Sequence, residues 1–446
     1  MPRRIVIIGA HAAGVDAAAA ARKTDRTAEI ALMTKQKRAG YSPCGIPYVI
    51  GGHIPSFDDL VVFPPSYYRM MKLDLRLETT ATNINTEAKT VEIRDRTGKE
   101  AALPYDSLIV TTGAYPFVPP IKGKDKKGVY VARTIEDGQR IDKALKTAKS
   151  AVVIGAGVIG LETAAAFVER GVKTTVAELL PYCLPAMLDQ DMANVVQGML
   201  EEKGLRLIVG HGADEFLGDE KVNAVSVAGE EIPADLAVLG VGVRANVELA
   251  RNAGIALGET KAIRVNHRME TNVKDVYAAG DCVESINMIT KRPTLSQLGT
   301  TAVKQAKVAG TNAAGGYAAF SGVLGSAVTK LFDVEIGVTG LNEFFAGRAG
   351  LQTIAGTITS KTKADYYPGA LPIRIKLVVE KESRRIIGGQ FVGGEAVTQR
   401  VNALSFAIQK HMTIEELAKA DTCYAPPVNE TWEPMVLAAE MAIRKL

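Results

Sequence analysis

The segment Ala151-Val-Val-Ile-Gly155-Ala-Gly157-Val158-Ile159-Gly160-Leu-Glu162 constrains the fold of this chain more than any other. A β-branched run enters Gly-x-Gly-x-x-Gly and leaves as an alanine-rich helix, the strand–turn–helix of a dinucleotide-binding unit. The first glycine makes the turn. The second lets backbone approach a pyrophosphate, and the third lets helix and strand pack closely. The free N–H groups and positive dipole end of the helix, opening at Val158 and Ile159, suit phosphate. A lone glycine triad is weak, but the next strand, Lys173-Thr-Thr-Val-Ala-Glu178, ends in an acid about 20 residues on. A carboxylate there accepts hydrogen bonds from a ribose diol. Leu179, Leu180 and Pro181 follow, with no Arg or Lys to hold a 2′-phosphate. NADH is therefore expected, with NADPH as the alternative.

A second, degenerate copy opens the chain: Ile5-Val-Ile-Ile-Gly9-Ala-His11-Ala12-Ala13-Gly14. His11 stands in the second glycine position. After the following strand, Ala28 to Leu32, Thr34 and Lys35 stand where an acid is expected, and a hydroxyl bonds a ribose more weakly. Two nucleotide folds in one chain imply two dinucleotides that exchange electrons, and FAD plus a nicotinamide is the usual pair. Arg3 and Arg4 before the apolar stretch from Ile5 to Ala21 resemble a secretion signal. His11 and Asp16 interrupt that stretch, and the entry into Gly9 reads as a buried strand instead.

The 446 residues suggest about three domains at roughly 150 residues each. Hydrophobic residues at 47% and charged residues at 23% exclude global disorder. No apolar run is long enough for a transmembrane helix. A net charge of +4 with dispersed basic residues argues against a nucleic-acid partner. The four cysteines, Cys44, Cys183, Cys282 and Cys423, form no CxxC pair and no zinc spacing. A disulfide scaffold and a metal site are thus not expected, and a reducing cytoplasm fits best.

Further segments follow in a telling order: Val110-Thr-Thr112-Gly113-Ala, Gly240-Val-Gly242-Val-Arg244-Ala-Asn246, Val276-Tyr-Ala-Ala-Gly280-Asp281, Leu298-Gly-Thr300-Thr-Ala302 and Thr339-Gly-Leu-Asn-Glu343. With the glycine turns they resemble, over essentially the whole chain, the single-cysteine branch of the pyridine nucleotide–disulfide oxidoreductases. That branch includes coenzyme A-disulfide reductases, NADH oxidases, NADH peroxidases and polysulfide reductases. The resemblance implies that Thr112 and Gly113 leave the flavin domain and that Gly242 ends the NAD domain. It places Asp281, after Gly280, on the flavin ribitol, and the helix opened by Thr300 and Ala302 against the flavin ring. Glu162 matches a family residue near the nicotinamide–flavin contact, and Val158 stands where relatives often carry an aromatic.

Gly40-Tyr-Ser-Pro43-Cys44-Gly-Ile-Pro47-Tyr48 matches the branch signature most closely. Dithiol relatives place a second cysteine five residues later, where this chain has Val49. Cys44 follows a proline at a helix start, so the helix dipole and a nearby flavin favour its thiolate. A thiolate attacks disulfides, persulfides or peroxides. The other three cysteines are expected to be structural. In coenzyme A-disulfide reductases two tyrosines of the C-terminal domain reach across the dimer to the cysteine. The matching segments here are Ala364-Asp-Tyr366-Tyr367-Pro-Gly and Thr422-Cys-Tyr424-Ala-Pro-Pro427. Tyr367 and Tyr424 are the catalytic candidates beside Cys44, and Tyr366 is not distinguishable from its neighbour. The histidine that assists peroxide chemistry in NADH peroxidases falls on Ala12, next to His11, and its absence disfavours a peroxidase. Coenzyme A as substrate or mixed disulfide is left open. Arg22 and Lys23 are placed to reach its phosphates, whereas Gly40 and Pro43 depart from the coenzyme A pattern.

The fold expected is α/β, with two Rossmann-like dinucleotide-binding domains and a C-terminal α/β dimerisation domain. Residues 1–115 and 260–325 form the FAD domain, 116–259 the NAD(P)H domain and 326–446 the dimerisation domain. The Lys122–Gly128 stretch reads as a solvated connector, His411 and Glu416 as a chance match to a dithiol-reductase acid–base pair, and Trp432 as a packing residue. The function implied is an FAD-dependent NAD(P)H oxidoreductase, a homodimer, reducing a small disulfide or sulfur acceptor through Cys44. The alternatives are an NADH oxidase reducing O₂, or a flavin redox sensor or electron-transfer subunit.

Overall fold

The computed structural model describes all 446 residues, in two compact units. The first comprises Met1–Ile46, Ile54–Pro116 and Val243–Val323. Its centre is a five-stranded parallel sheet in the order Val276–Ala278, Ser107–Val110, Arg4–Ile8, Glu29–Met33, Leu73–Arg76. The continuous apolar runs explain that sheet. Ile5, Ile7, Leu108 and Ile109 are fully buried, as strands covered on both faces must be. The helix Ala12–Thr24 is alanine-rich because the helix Gly299–Ala313 lies directly on it. A Cβ at Gly310 would overlap the Ala17 carbonyl. A three-stranded antiparallel sheet, Thr80–Asn85, Thr90–Arg94 and Glu100–Pro104, completes the unit.

The chain returns to this unit at Val243. Val243–Ala245 pairs antiparallel with Ala114–Pro116. Val247, Ala250 and Ile255 then bury in the same core as Ile5 and Ile7.

The second unit comprises Pro47–His53, Phe117–Gly242 and Leu324–Leu446. It holds a second five-stranded parallel sheet, in the order Arg206–Val209, Lys173–Glu178, Ser150–Ile154, Leu236–Leu239, Val129–Val131. The antiparallel strands Ala213–Leu217, Ala224–Val227 and Glu230–Pro233 flank it. The lysines of the 122–128 stretch lie on this flank. Lys122 pairs with Glu215 and Lys127 with Glu220, while Lys126 donates to the carbonyls of Gly218 and Asp219.

The C-terminal part is a five-stranded antiparallel sheet ordered Ala327–Leu331, Val334–Gly340, Ile386–Gly393, Pro372–Glu380, Thr353–Lys361. The helices Val397–Gln409 and Pro434–Ile443 pack on it. Gly356 allows the second of these to approach, since a Cβ there would overlap the Ala438 carbonyl. Two Rossmann-like parallel sheets and this α/β part make the fold class the expected one. One polar anchor runs through the second unit. The buried Lys376 ammonium meets Asp189 at 3.1 Å, Asp191 at 2.8 Å and Glu343 at 2.5 Å. Trp432 differs from the expected packing residue in being 60% exposed. No helix is long and apolar enough to cross a membrane.

Candidate active site

Both glycine turns have the geometry that binding a pyrophosphate requires. Gly9 and Gly155 sit at φ +112° and +103°, a backbone region that favours glycine. At Gly14 and Gly160 a Cβ would overlap the carbonyl oxygens of Gly9 and Gly155, so these two glycines serve internal packing. Gly157 is different. It caps the helix Val158–Glu169 at φ −77°, and a Cβ there would meet nothing within 4 Å. No protein atom requires a glycine at this position, and the open space in front of it fits a pyrophosphate resting on helix N–H groups.

His11 caps the helix Ala12–Thr24, with Ala12, Ala13 and Gly14 forming its first turn. Its Nε2 bonds the Gln36 amide oxygen at 2.9 Å, and its ring meets Tyr41 edge-on at 4.5 Å. The Tyr41 hydroxyl donates to the same Gln36 oxygen at 2.8 Å. Sequence reasoning missed this trio, because Gln36 and Tyr41 belong to no motif.

The two ribose positions differ as their residues do. Glu178 is buried, and its two oxygens accept from the backbone N–H groups of Ala156 at 2.7 Å and Leu180 at 2.8 Å. The carboxylate therefore also braces the glycine turn, and each oxygen keeps a lone pair for a diol. Thr34 is buried and accepts from the Gln36 N–H at 3.2 Å, while Lys35 is exposed.

In the first unit Thr112 donates to the Asn246 carbonyl at 2.6 Å, and Gly113 adopts φ +68°. Gly280, at φ +89°, stands so close to the first helix that a Cβ would lie 3.0 Å from that of Ala13. Its N–H donates to the buried Gln305. The motif carrying Asp281 and the helix carrying Thr300 and Ala302 thus converge on the first glycine turn. Gly242 is exposed at φ +99°, beyond the second parallel sheet.

Cys44 is exposed in a tight turn, Pro43–Gly45, that leads into the helix Ile46–Ile50. Three backbone bonds fix the approach to it: Gly40 N–H to the Ala10 carbonyl, Ser42 N–H to Leu60, and Gly45 N–H to Ser42. Val49 is a buried aliphatic. Burial raises the Cys183 thiol to about 12 and also raises that of Cys282, which leaves both inert. Cys423 is exposed.

Glu162 opens the second turn of the helix Val158–Glu169 and is partly buried. Thr329 donates to its carboxylate at 2.7 Å and Tyr48 at 3.4 Å. Burial raises its pKa, and the two hydroxyl donors oppose that rise.

In the C-terminal part the hydroxyls of Tyr366 and Tyr424 bond each other at 2.6 Å. Of the two adjacent tyrosines, Tyr366 is the one that meets Tyr424. Tyr367 turns its backbone N–H to the Ala364 carbonyl and is 39% exposed. The hydrogen bond to Tyr424 raises the Tyr366 pKa, and either hydroxyl can be the donor of the pair.

Two motifs fall away on geometry. Glu416 closes a capping box with Thr413, accepting from its N–H at 2.7 Å and its hydroxyl at 3.0 Å. It is a helix cap and no partner for His411. The Arg22 guanidinium is occupied by four backbone carbonyls, those of Met71, Asp25, Arg26 and Lys72, at 2.9–3.4 Å. These bonds hold it away from the phosphate-binding role that the sequence suggests. No cluster of His, Cys, Asp and Glu could hold a metal ion.

Comparison with known proteins adds the chemistry. Residues 3–312 match the family described as pyridine nucleotide-disulphide oxidoreductase, and residues 326–436 match its dimerisation domain. An NADH oxidase of Methanocaldococcus jannaschii is 45% identical over 99% of both chains. A CoA-dependent NAD(P)H sulfur oxidoreductase of Pyrococcus furiosus is 35% identical over 98% of this chain and 99% of its own. The structure of an NAD-dependent persulfide reductase from A. fulgidus superposes with a TM-score of 0.97 at 39% identity, covering 99% of this chain and 83% of that one.

Proposed function

The chain belongs to the pyridine nucleotide-disulphide oxidoreductases, and from that membership we propose that it reduces a disulfide, polysulfide or persulfide through Cys44. It is an NAD(P)H-dependent flavoprotein oxidoreductase, as its relatives are. Bound FAD supplies the two-electron path between the nicotinamide and a thiol. The first glycine turn, from Gly9 through His11 to Gly14, with Thr34, Lys35, Thr112, Gly113, Gly280, Asp281, Thr300 and Ala302, would hold the FAD. Gly155, Gly157, Gly160, Glu162, Glu178 and Gly242 would hold the nicotinamide nucleotide, and Glu178 favours NADH.

The observation that carries the reading is Cys44 itself, an exposed thiol on a backbone-locked turn with Val49 in place of a second cysteine. The Cys44 thiolate attacks one sulfur of the acceptor. The S–S bond breaks, a Cys44 mixed disulfide forms, and the other sulfur leaves as a thiolate. That thiolate takes its proton from the Tyr424 hydroxyl of a second copy of the chain, where the Tyr366 hydroxyl lies 2.6 Å from it. Two electrons then split the mixed disulfide, releasing the second product and restoring the Cys44 thiolate. Tyr367 is the alternative donor. The dimerisation-domain match supports the homodimer this scheme needs. A second reading, reduction of O₂ with Cys44 cycling through its sulfenate, is favoured by the name of the M. jannaschii relative.

The test is anaerobic turnover of the FAD-loaded dimer with NADH and, in turn, coenzyme A disulfide, polysulfide and peroxide, with O₂ assayed separately. Cys44→Ser should lose at least about 10³-fold with disulfide and sulfur acceptors while still oxidising NADH in a single turnover. Full activity of that variant toward every such acceptor would refute the role of Cys44. Fast turnover with O₂ alone would install the second reading.

A further inference from the structure

Tyr424 lies in a segment whose backbone does little to hold it. From Ala420 to Glu433 the chain forms neither helix nor strand. A buried polar network beneath this segment supplies the missing order. Arg400, on the helix Val397–Gln409, forks onto Glu433, with Nε to Oε1 at 2.7 Å and Nη2 to Oε2 at 3.1 Å. Arg400 Nη2 also donates to the Asn429 amide oxygen at 2.9 Å. Arg400 can only donate, so the Asn429 oxygen must face it and the Asn429 nitrogen must face the other way. That nitrogen donates to Glu433 at 2.9 Å and to the Cys423 carbonyl at 3.0 Å. All three side chains are buried.

The Cys423 carbonyl belongs to the peptide unit that ends at the Tyr424 Cα. Peptide planarity means that fixing this oxygen fixes where the tyrosine starts. The other phenol is tethered to the same segment. Ala364 N–H donates to the Pro426 carbonyl, and Asp365 N–H to the Glu430 carboxylate at 2.8 Å.

We infer that Asn429, oriented by the buried Arg400–Glu433 pair, is the positioning residue that aims Tyr424. Stability alone is a weak reason for the network, because a buried ion pair adds little or nothing over an apolar replacement of the same volume. What such a network supplies is one conformation for a stretch that has no ladder of its own. The inference rests on Tyr424 being the proton donor, and the experiment separates the two claims.

The FAD-loaded dimer is studied by anaerobic stopped flow in its two half-reactions, NADH with oxidised enzyme and coenzyme A disulfide with reduced enzyme. Asn429→Ala should slow the second by roughly 10- to 100-fold, the cost of a displaced catalytic group, and leave the first within about twofold. Tyr424→Phe should slow the same half-reaction, and the double variant should be no slower than Tyr424→Phe alone. Arg400→Lys keeps the charge but loses the fork onto Glu433 and the accompanying bond to Asn429. It should show a smaller loss of the same kind, and it decides the matter if Asn429→Ala does not fold. If Tyr424→Phe is slow but Asn429→Ala and Arg400→Lys are not, the positioning claim falls and the tyrosine reading stands. If Tyr424→Phe is as fast as wild type, both fall. Equal slowing of the two half-reactions in Asn429→Ala would also overturn the positioning claim.

Discussion

Replacing Lys376 by methionine tests the anchor of the second unit. Burial alone would lower the Lys376 pKa, but Asp191, Glu343 and Asp189 outweigh burial and raise it. A raised lysine pKa means that its stabilisation is complete below the ordinary lysine range and is lost only as pH climbs through the raised value. Between pH 5 and 9 the wild-type contribution is therefore flat. The variant leaves three carboxylates without their cation. The Asp191 and Glu343 side chains are 45% and 40% exposed and can turn to water, whereas Asp189 is only 10% exposed. The cost is thus that of one stranded buried carboxylate, in a range of about 3–5 kcal/mol. Asp189 keeps Gln390 at 2.6 Å and the Glu343 N–H at 3.2 Å, which favours the lower end, about 3 kcal/mol. At roughly 2–4 °C per kcal/mol this lowers the melting temperature by about 6–12 °C. Scanning calorimetry of the FAD-loaded dimer at one scan rate measures it. A drop below about 2 °C would refute the reasoning.

Gly157→Ala should fold normally, since nothing in the chain meets the added Cβ, yet bind NADH roughly 10- to 100-fold more weakly by calorimetric titration. Gly160→Ala, whose Cβ would overlap the Gly155 carbonyl, should instead reduce the yield of folded protein. Glu178→Ala combined with Leu179→Arg should raise the KM for NADH at least about tenfold and bring in NADPH, read from steady-state kinetics with both nucleotides. Glu162 has a raised pKa, so the folded state holds its proton more tightly, and its ionised form destabilises above the ordinary carboxylate range. Glu162→Gln should therefore raise the melting temperature at pH 8 and gain little at pH 5.

The glycine turns were legible because their requirements are local. Gly9 and Gly155 need positive φ, and the acid at Glu178 follows at a fixed distance along the chain. The exposed Cys44 turn was legible through Pro43 and the flanking Gly40 and Gly45. What stayed hidden was tertiary. The partners of His11 are Gln36 and Tyr41, and those of Asp189 are Lys376 and Gln390, pairs that no spacing rule connects. Arg22 misled because a cation at a helix end looks the same in sequence whether it faces solvent or four carbonyls. Tyr366 and Tyr367 could not be separated because adjacent residues differ only in which way the backbone turns them.

A lone cysteine imposes a requirement that its own turn does not meet. In a dithiol enzyme the second sulfur closes a disulfide and expels the product. Here the leaving thiolate must be protonated in place, or it remains a good nucleophile toward the mixed disulfide it has just left. The residues beside Cys44 are Ser42, Pro43, Gly45, Ile46 and Pro47, none of which is an acid of useful pKa. Tyr41 is buried with its hydroxyl on Gln36. The acid must therefore come from outside the turn. A phenol fits the demand, because it is neutral at pH 7, and a second phenol donating into its oxygen stabilises it once the proton has gone. Tyr424 is 44% exposed and Tyr366 75% exposed, far more than paired tyrosines buried for stability alone. On the function proposed above, a second copy of the chain presenting its own Cys44 turn is the surface that would use this exposed pair.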